Sequence, residues 1–232
     1  MPERRWTAVV PALPFAMSLP QFTCSPADRE RLAHAMTLDV LEATLGAGSI
    51  DRVVVVSTER ALSHLAGADD RLTLALDRPW LNERGVRDAI ALGALHARRL
   101  APDSGVVVVP ADLAAITPTV LDETLARLLD RSAAVVRDSR GRGHTLRTWA
   151  DPTGAVAASH RRDGTESRVE VVAEVDARAR HDVDTLEDLQ AAVPLGLGPR
   201  THVAARRVRR AVRGVSVATG SRPQPASAAL AR

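Results

Sequence analysis

The chain has 232 residues, 45% apolar and 25% charged, enough for a sizeable core in one large domain or two small ones. A single cysteine, Cys24, excludes an internal disulfide and any Cys-based zinc or iron–sulfur site, and the complete lack of lysine excludes a Walker phosphate loop and Schiff-base chemistry. All 31 basic residues are arginine, and seven lie in the acid-free stretch 203–232, so residues 1–202 carry 24 arginines against 28 acids, a net of −4.

Thr7–Pro11 is a first predicted strand. Ser25 then caps a helix, with Pro26 at its first position and Asp28 two later; Leu32, Met36, Leu38, Val40, Leu41 and Leu45 are its apolar residues, and Gly46 and Gly48 stop it. Arg52–Ser57 is a second strand, apolar on both faces as a buried parallel strand is. A short helix near 59–66 and a strand at Leu72–Leu76 follow. Val86, Ile90, Gly93, Ala94 and Ala97 mark a helix starting near Asn82, and Gly105–Val109 is another buried strand. Thr117 and Pro118 open a helix carrying Leu121, Leu125, Leu128 and Leu129. Ala133–Arg137, His144–Trp149 and Val169–Val172 read as strands, and Thr185 with Asp188 forms a capping box before the last helix of the body.

Strands alternating with helices predict an α/β domain over 1–202, with a mainly parallel sheet. The later strands lack intervening helices, which makes part of the sheet antiparallel. From 203 onward arginines crowd between 206 and 213, then small residues dominate; this reads as a short basic helix or coil leading into a disordered tail. Apolar runs such as Val53–Val56 and Val106–Val109 fall far short of the roughly 20 residues that span a bilayer, and no apolar segment follows Arg4 and Arg5, so neither a membrane span nor a secretory signal is expected. With one cysteine, the cytoplasm is the expected compartment.

Ligands of open α/β sheets bind beyond the carboxyl ends of the strands, so the residues after each strand are the ones to inspect. Asp112 follows the strand at Gly105–Val109; a carboxylate there either caps a turn or holds a cation. Asp182 and Asp184 are two apart and share one side of an extended segment. Two neighbouring carboxylates repel unless a cation sits between them, and a few hard oxygens with open positions for phosphates suit Mg²⁺. The plainer reading is that Asp184 and Thr185 only begin a helix while Asp182 is solvated. The Gly141–Thr145 turn could bring backbone amides to an anion, or be an ordinary hairpin turn. Asn82 is either a helix cap or a base or ribose contact.

Taken in order, several segments resemble a known family: Val9-Val10-Pro11, Leu81-Asn82, Ala111-Asp112-Leu113, Gly141-x-Gly143-x-Thr145, Ser159-His160-Arg161-Arg162-x-Gly164, Asp182-Val183-Asp184-Thr185 with Asp188-Leu189, and Leu195-Gly-x-Gly-Pro-x-Thr201. The chain resembles the 2-phospho-L-lactate or phosphoenolpyruvate guanylyltransferases that make the deazaflavin coenzyme F-420, over about Trp6 to Thr201. The resemblance implies a Rossmann-like mixed sheet flanked by helices, as in sugar-phosphate nucleotidyltransferases. It implies GTP and a phosphorylated three-carbon acid as substrates, and Mg²⁺ on Asp112, Asp182 and Asp184 as the catalytic and metal-binding carboxylates. Thr145, Gly154 and His160 would contact the acid, with Gly154 in a shortened loop at 152–156; Pro11, Ala12 and Asn82 would contact the nucleotide. Leu13, Met17 and Leu19 fall where the family carries two lysines and an arginine, so Arg4, Arg5, Arg84 and Arg87 become the candidates to neutralise the triphosphate.

Two function classes follow. One is a guanylyltransferase; the other is a catalytically degenerate homologue acting as a binding or scaffold protein. A grip of the arginine-rich stretch on nucleic acid is disfavoured, because no aromatic residue lies there to stack on bases.

Overall fold

The computed structural model describes residues 4–76, 85–160 and 169–219, leaving aside the side chains of 159–160 and 211–219. Seven strands form one sheet: β1 (Trp6–Pro11), β2 (Ile50–Ser57), β3 (Leu72–Leu76), β4 (Gly105–Val108), β5 (Ala133–Arg137), β6 (His144–Trp149) and β7 (Glu170–Val172). Their order is β3-β2-β1-β4-β6-β5-β7. β6 pairs antiparallel with both β4 and β5, while every other pairing is parallel. The antiparallel part anticipated from the missing helices is this one inserted strand.

Helices cover both faces. On one side lie α1 (Pro26–Gly46) and α3 (Pro118–Ala126), whose Leu32, Met36, Leu121 and Leu125 join the alternate sheet residues Ala8, Val10, Val53 and Val55 in one core. On the other lies α2 (Gly85–Leu100) against α4 (Pro152–His160), where Ala89, Ala94 and Ala155 meet Val9, Val54 and Val108. This two-sided burial explains why the central strands are apolar at successive positions rather than alternating. α2 approaches β1 so closely that a Cβ on Gly93 would stand 2.2 Å from Val9 Cγ1.

Local signals act as expected at several ends. Ser25 accepts the Asp28 N–H at the start of α1, Thr117 accepts the Val120 N–H before α3, and Thr185 with Asp188 closes a full capping box on α6 (Leu186–Ala192). The segment 152–156, expected as a loop, is instead the start of a helix that runs to residue 160. Asp151 accepts the Gly154 N–H at 2.9 Å, Pro152 stands at the first helical position, and the alanine-rich sequence continues as α4. A further short turn of helix, α5 (Ala177–Arg180), precedes the Asp182 segment.

The boundary placed at 202/203 also shifts. α7 runs Pro199–Thr219 without a break there, and Ala205 and Val208 are buried against α1 and its neighbours. Its start is tied to α1 by Asp39, which accepts the N–H groups of Arg200 (3.2 Å) and Thr201 (2.7 Å) and pairs with the Arg200 guanidinium. A carboxylate at a helix N-terminus is favourable, and this one is buried. Gly198 makes room for it: a Cβ there would lie 2.4 Å from Asp39 Oδ2. Among the described residues no helix is long and apolar enough to cross a membrane.

Candidate active site

β1 and β4 are neighbours in the sheet, but the chain leaves β1 toward α1 on one face and reaches β4 from α2 on the other. Such a reversal opens a crevice at the carboxyl ends of the two strands. A cleft of about 560 Å³ lies there, lined by Pro11 after β1, Asp112 after β4, Thr145 and Arg147 of β6, Asp184, and Arg87 of α2.

Asp112 and the Asp182 segment are joined directly, since the Val183 N–H donates to the Asp112 carbonyl at 3.2 Å. Oδ1 of Asp112 and Oδ1 of Asp182 are both sealed from solvent, and neither has a hydrogen-bond partner among the described residues. Burial, then the charges of Asp182 and Asp184, push the Asp112 carboxyl up to about 7. Asp184 is half-buried, and its carboxyl is raised by burial and by Asp182 and Asp188, with Arg140 opposing. Arg140, on the turn after β5, sits 4.0 Å from Asp184 and forms an ion pair with Asp188. The reading of Asp182 as merely solvated therefore fails, whereas Thr185 and Asp188 do begin a helix. The three aspartates share one end of the sheet but are not a ready-made cage: among the described residues no three His, Cys, Asp or Glu side chains are arranged to hold a metal by themselves.

The other predicted positions divide. Pro11 and Thr145 line the cleft, the Thr145 hydroxyl donating to the Ala179 carbonyl at 2.6 Å. Ala12 is buried, its N–H donates to Val56 O and its carbonyl accepts from Ser57 Oγ, so its backbone serves the β1–β2 junction. Gly154 sits in the first turn of α4 with its N–H on Asp151, apart from the cleft lining. Asn82 and the side chain of His160 lie outside the described residues. The amides of the glycine turn are already taken: Asp138 Oδ1 accepts the Arg142 N–H and Oδ2 the Gly143 N–H, so the turn closes on its own carboxylate.

Leu13, Met17 and Leu19 all line the cleft, which gives its β1 side an apolar wall. Of the cations proposed to replace the missing charges, Arg4 donates to the carbonyls of Leu129 and Arg131, and Arg5 pairs with Asp51. Both are at the amino end of β1, the wrong edge of the sheet for the cleft. Arg84 lies outside the described residues, and Arg87, exposed, is part of the cleft lining. Arg147 was missed by sequence reasoning. An arginine within a strand gave no signal until Thr145 two residues earlier was placed on the cleft wall.

The sequence matches the model of the MobA-like NTP transferase domain over residues 32–182. It is 33% identical to a phosphoenolpyruvate guanylyltransferase of Streptomyces scabiei (strain 87.22), covering 88% of this chain and 97% of that one. It is 36% identical to the Streptomyces coelicolor protein of the same name over the same shares. A putative nucleotide-diphospho-sugar transferase from Desulfovibrio desulfuricans G20 has the same fold, with a TM-score of 0.62 over 92% of this chain and 98% of that one at 14% identity.

Proposed function

The chain belongs to the phosphoenolpyruvate guanylyltransferase family and is a nucleotidyltransferase, and we propose that its cleft joins GMP from GTP to phosphoenolpyruvate or 2-phospho-L-lactate, releasing pyrophosphate, as a step toward coenzyme F-420. The observation that carries this reading is the sealed, unpartnered Oδ1 of Asp112, which lines the cleft together with Asp184 at the carboxyl edge of the sheet. Buried ionised oxygens without a donor cost free energy, and a hard divalent cation is what would offset it. Asp112 and Asp184, which line the cleft, would hold that cation, with Asp182 adding negative charge beside them. Two carboxylates completed by substrate phosphates and water suit Mg²⁺, and they need no third protein ligand. When bound, Mg²⁺ supplies charge neutralisation for the phosphates as the leaving group departs.

The chain itself positions the reactants. An oxygen of the acceptor phosphate attacks the α-phosphorus of GTP, the bond from that phosphorus to the bridging oxygen breaks, and pyrophosphate leaves with the electron pair. The attacking oxygen is already anionic, so no side chain has to remove a proton. The apolar wall of Leu13, Met17 and Leu19 excludes water that would otherwise hydrolyse GTP and screen the phosphate charges. The apolar residues at the expected cation positions raised the alternative of a degenerate homologue; the three retained aspartates and the guanylyltransferase relatives weigh against it.

The test is pyrophosphate release by the purified protein with GTP, Mg²⁺ and each acid. Turnover with at least one acid is expected, and Asp184→Asn should cut it roughly 10²–10³-fold with the fold unchanged. Absence of both turnover and calorimetric GTP binding would end the reading.

A further inference from the structure

Among the described residues, β6 contributes a half-buried arginine to the cleft lining. Arg147 is half-buried, whereas Arg87 is exposed, and these two are the arginines lining the cleft among the described residues. In the sheet register Arg147 lies beside Val108 of β4, four residues before Asp112. It shares a strand face with Thr145, two residues earlier, and both side chains reach the cleft. Nε of Arg147 donates to Nε2 of His144, one of the contacts that hold the side chain in place.

We propose that Arg147 binds the carboxylate of the acceptor acid and so sets the specificity of this cleft for a phosphorylated carboxylic acid. The proposal rests on the guanylyltransferase reading for the identity of the acid. The cleft has two sides: the segment after β1 supplies Leu13, Met17 and Leu19, and β6 supplies Thr145 and Arg147. The nucleotide follows the β1 side in the reading above, which leaves β6 to the acceptor. The acceptor phosphate must stay open to attack the α-phosphorus. The anion left for a guanidinium is then the carboxylate, whose two oxygens match its planar fork. Half-burial strengthens that contact relative to one in bulk water. Because the carboxylate does not change during transfer, the contact is equal in ground and transition states and acts on acceptor affinity rather than on the chemical step.

The experiment measures initial rates of pyrophosphate release against phosphoenolpyruvate and, separately, against GTP, for wild type, Arg147→Met and Arg147→Lys, with circular dichroism as the fold control. Expected is a roughly 10–100-fold rise in KM for phosphoenolpyruvate in Arg147→Met, an unchanged KM for GTP, kcat within about threefold, and partial recovery in Arg147→Lys. An unchanged acceptor KM, or a rise in the GTP KM alone, overturns the proposal while leaving the guanylyltransferase reading intact. If wild type shows no turnover, calorimetric titration with each acid decides. Binding of phosphoenolpyruvate or 2-phospho-L-lactate that Arg147→Met abolishes upholds the subsite; no binding of either acid by wild type overturns it, and the transfer reading falls as well if GTP does not bind. Should Arg147→Met not fold, modification of wild-type Arg147 by phenylglyoxal, mapped by mass spectrometry, takes its place. Protection by phosphoenolpyruvate but not by GTP supports the assignment, and absence of protection overturns it.

Discussion

Replacing Asp112 with asparagine should stabilise the metal-free protein while abolishing its activity. The carboxyl is carried from an ordinary 3.8 to about 7 by burial and by Asp182 and Asp184, with one oxygen sealed and unpartnered. At about 1.4 kcal/mol per tenfold change in proton affinity, holding it ionised in the folded state costs about 4 kcal/mol at most. Partial exposure and relaxation reduce the expected figure to about 2–4 kcal/mol. Asparagine keeps the backbone bond to Val183 and has nearly the same shape, so most of this should be recovered. For a chain of this length that is roughly 5–10 °C in melting temperature. The pH dependence has a definite sign. Below about pH 4 the carboxyl is protonated whether folded or unfolded and carries no penalty. Between about pH 4 and 7 the folded state keeps a proton that the unfolded state has lost, so stability falls as pH rises; above about 7 the whole penalty is present. The assay is thermal unfolding of both proteins in chelator from pH 4 to 8. Added Mg²⁺ should then raise the wild-type melting temperature and leave the variant nearly unmoved. A variant no more stable than wild type at pH 8 in chelator, or one with the same slope between pH 4 and 7, would refute the reasoning.

Two further outcomes follow from the packing. Gly93→Ala should cost about 1–3 kcal/mol, because its new methyl would meet Val9 at 2.2 Å, and Val9→Ala in the same chain should recover part of the loss in a double-mutant cycle by denaturant unfolding. Truncation after residue 202 should lower stability by about 2–3 kcal/mol, read by the same unfolding, since it removes the buried Val208 and Ala205 from the face of α1; an unchanged midpoint would show that α7 beyond its first turn contributes nothing.

The sequence by itself determined the elements whose signals are local or periodic. The Ser25-Pro26, Thr117-Pro118 and Thr185–Asp188 caps, the doubly apolar β2 and β4, and the strands Leu72–Leu76 and His144–Trp149 lie where composition and spacing put them, because each depends on neighbours within a few residues. The same holds for the three aspartates as residues that follow strands or precede a helix. Tertiary structure decided the rest. Only the strand order shows that β6 enters antiparallel between β4 and β5, and so brings Arg147 to the cleft. The cover over α1 is an arginine-rich helix whose buried side is read from packing, not charge. Whether a polar group is free for a ligand is likewise decided by distant chain: Val56 and Ser57 engage the backbone of Ala12, while Asp112 and Asp182 each keep an oxygen without a donor. Local sequence sets a residue's backbone preference; the field around Asp112 comes from Asp182 and Asp184 on a distant segment, which no short-range pattern encodes.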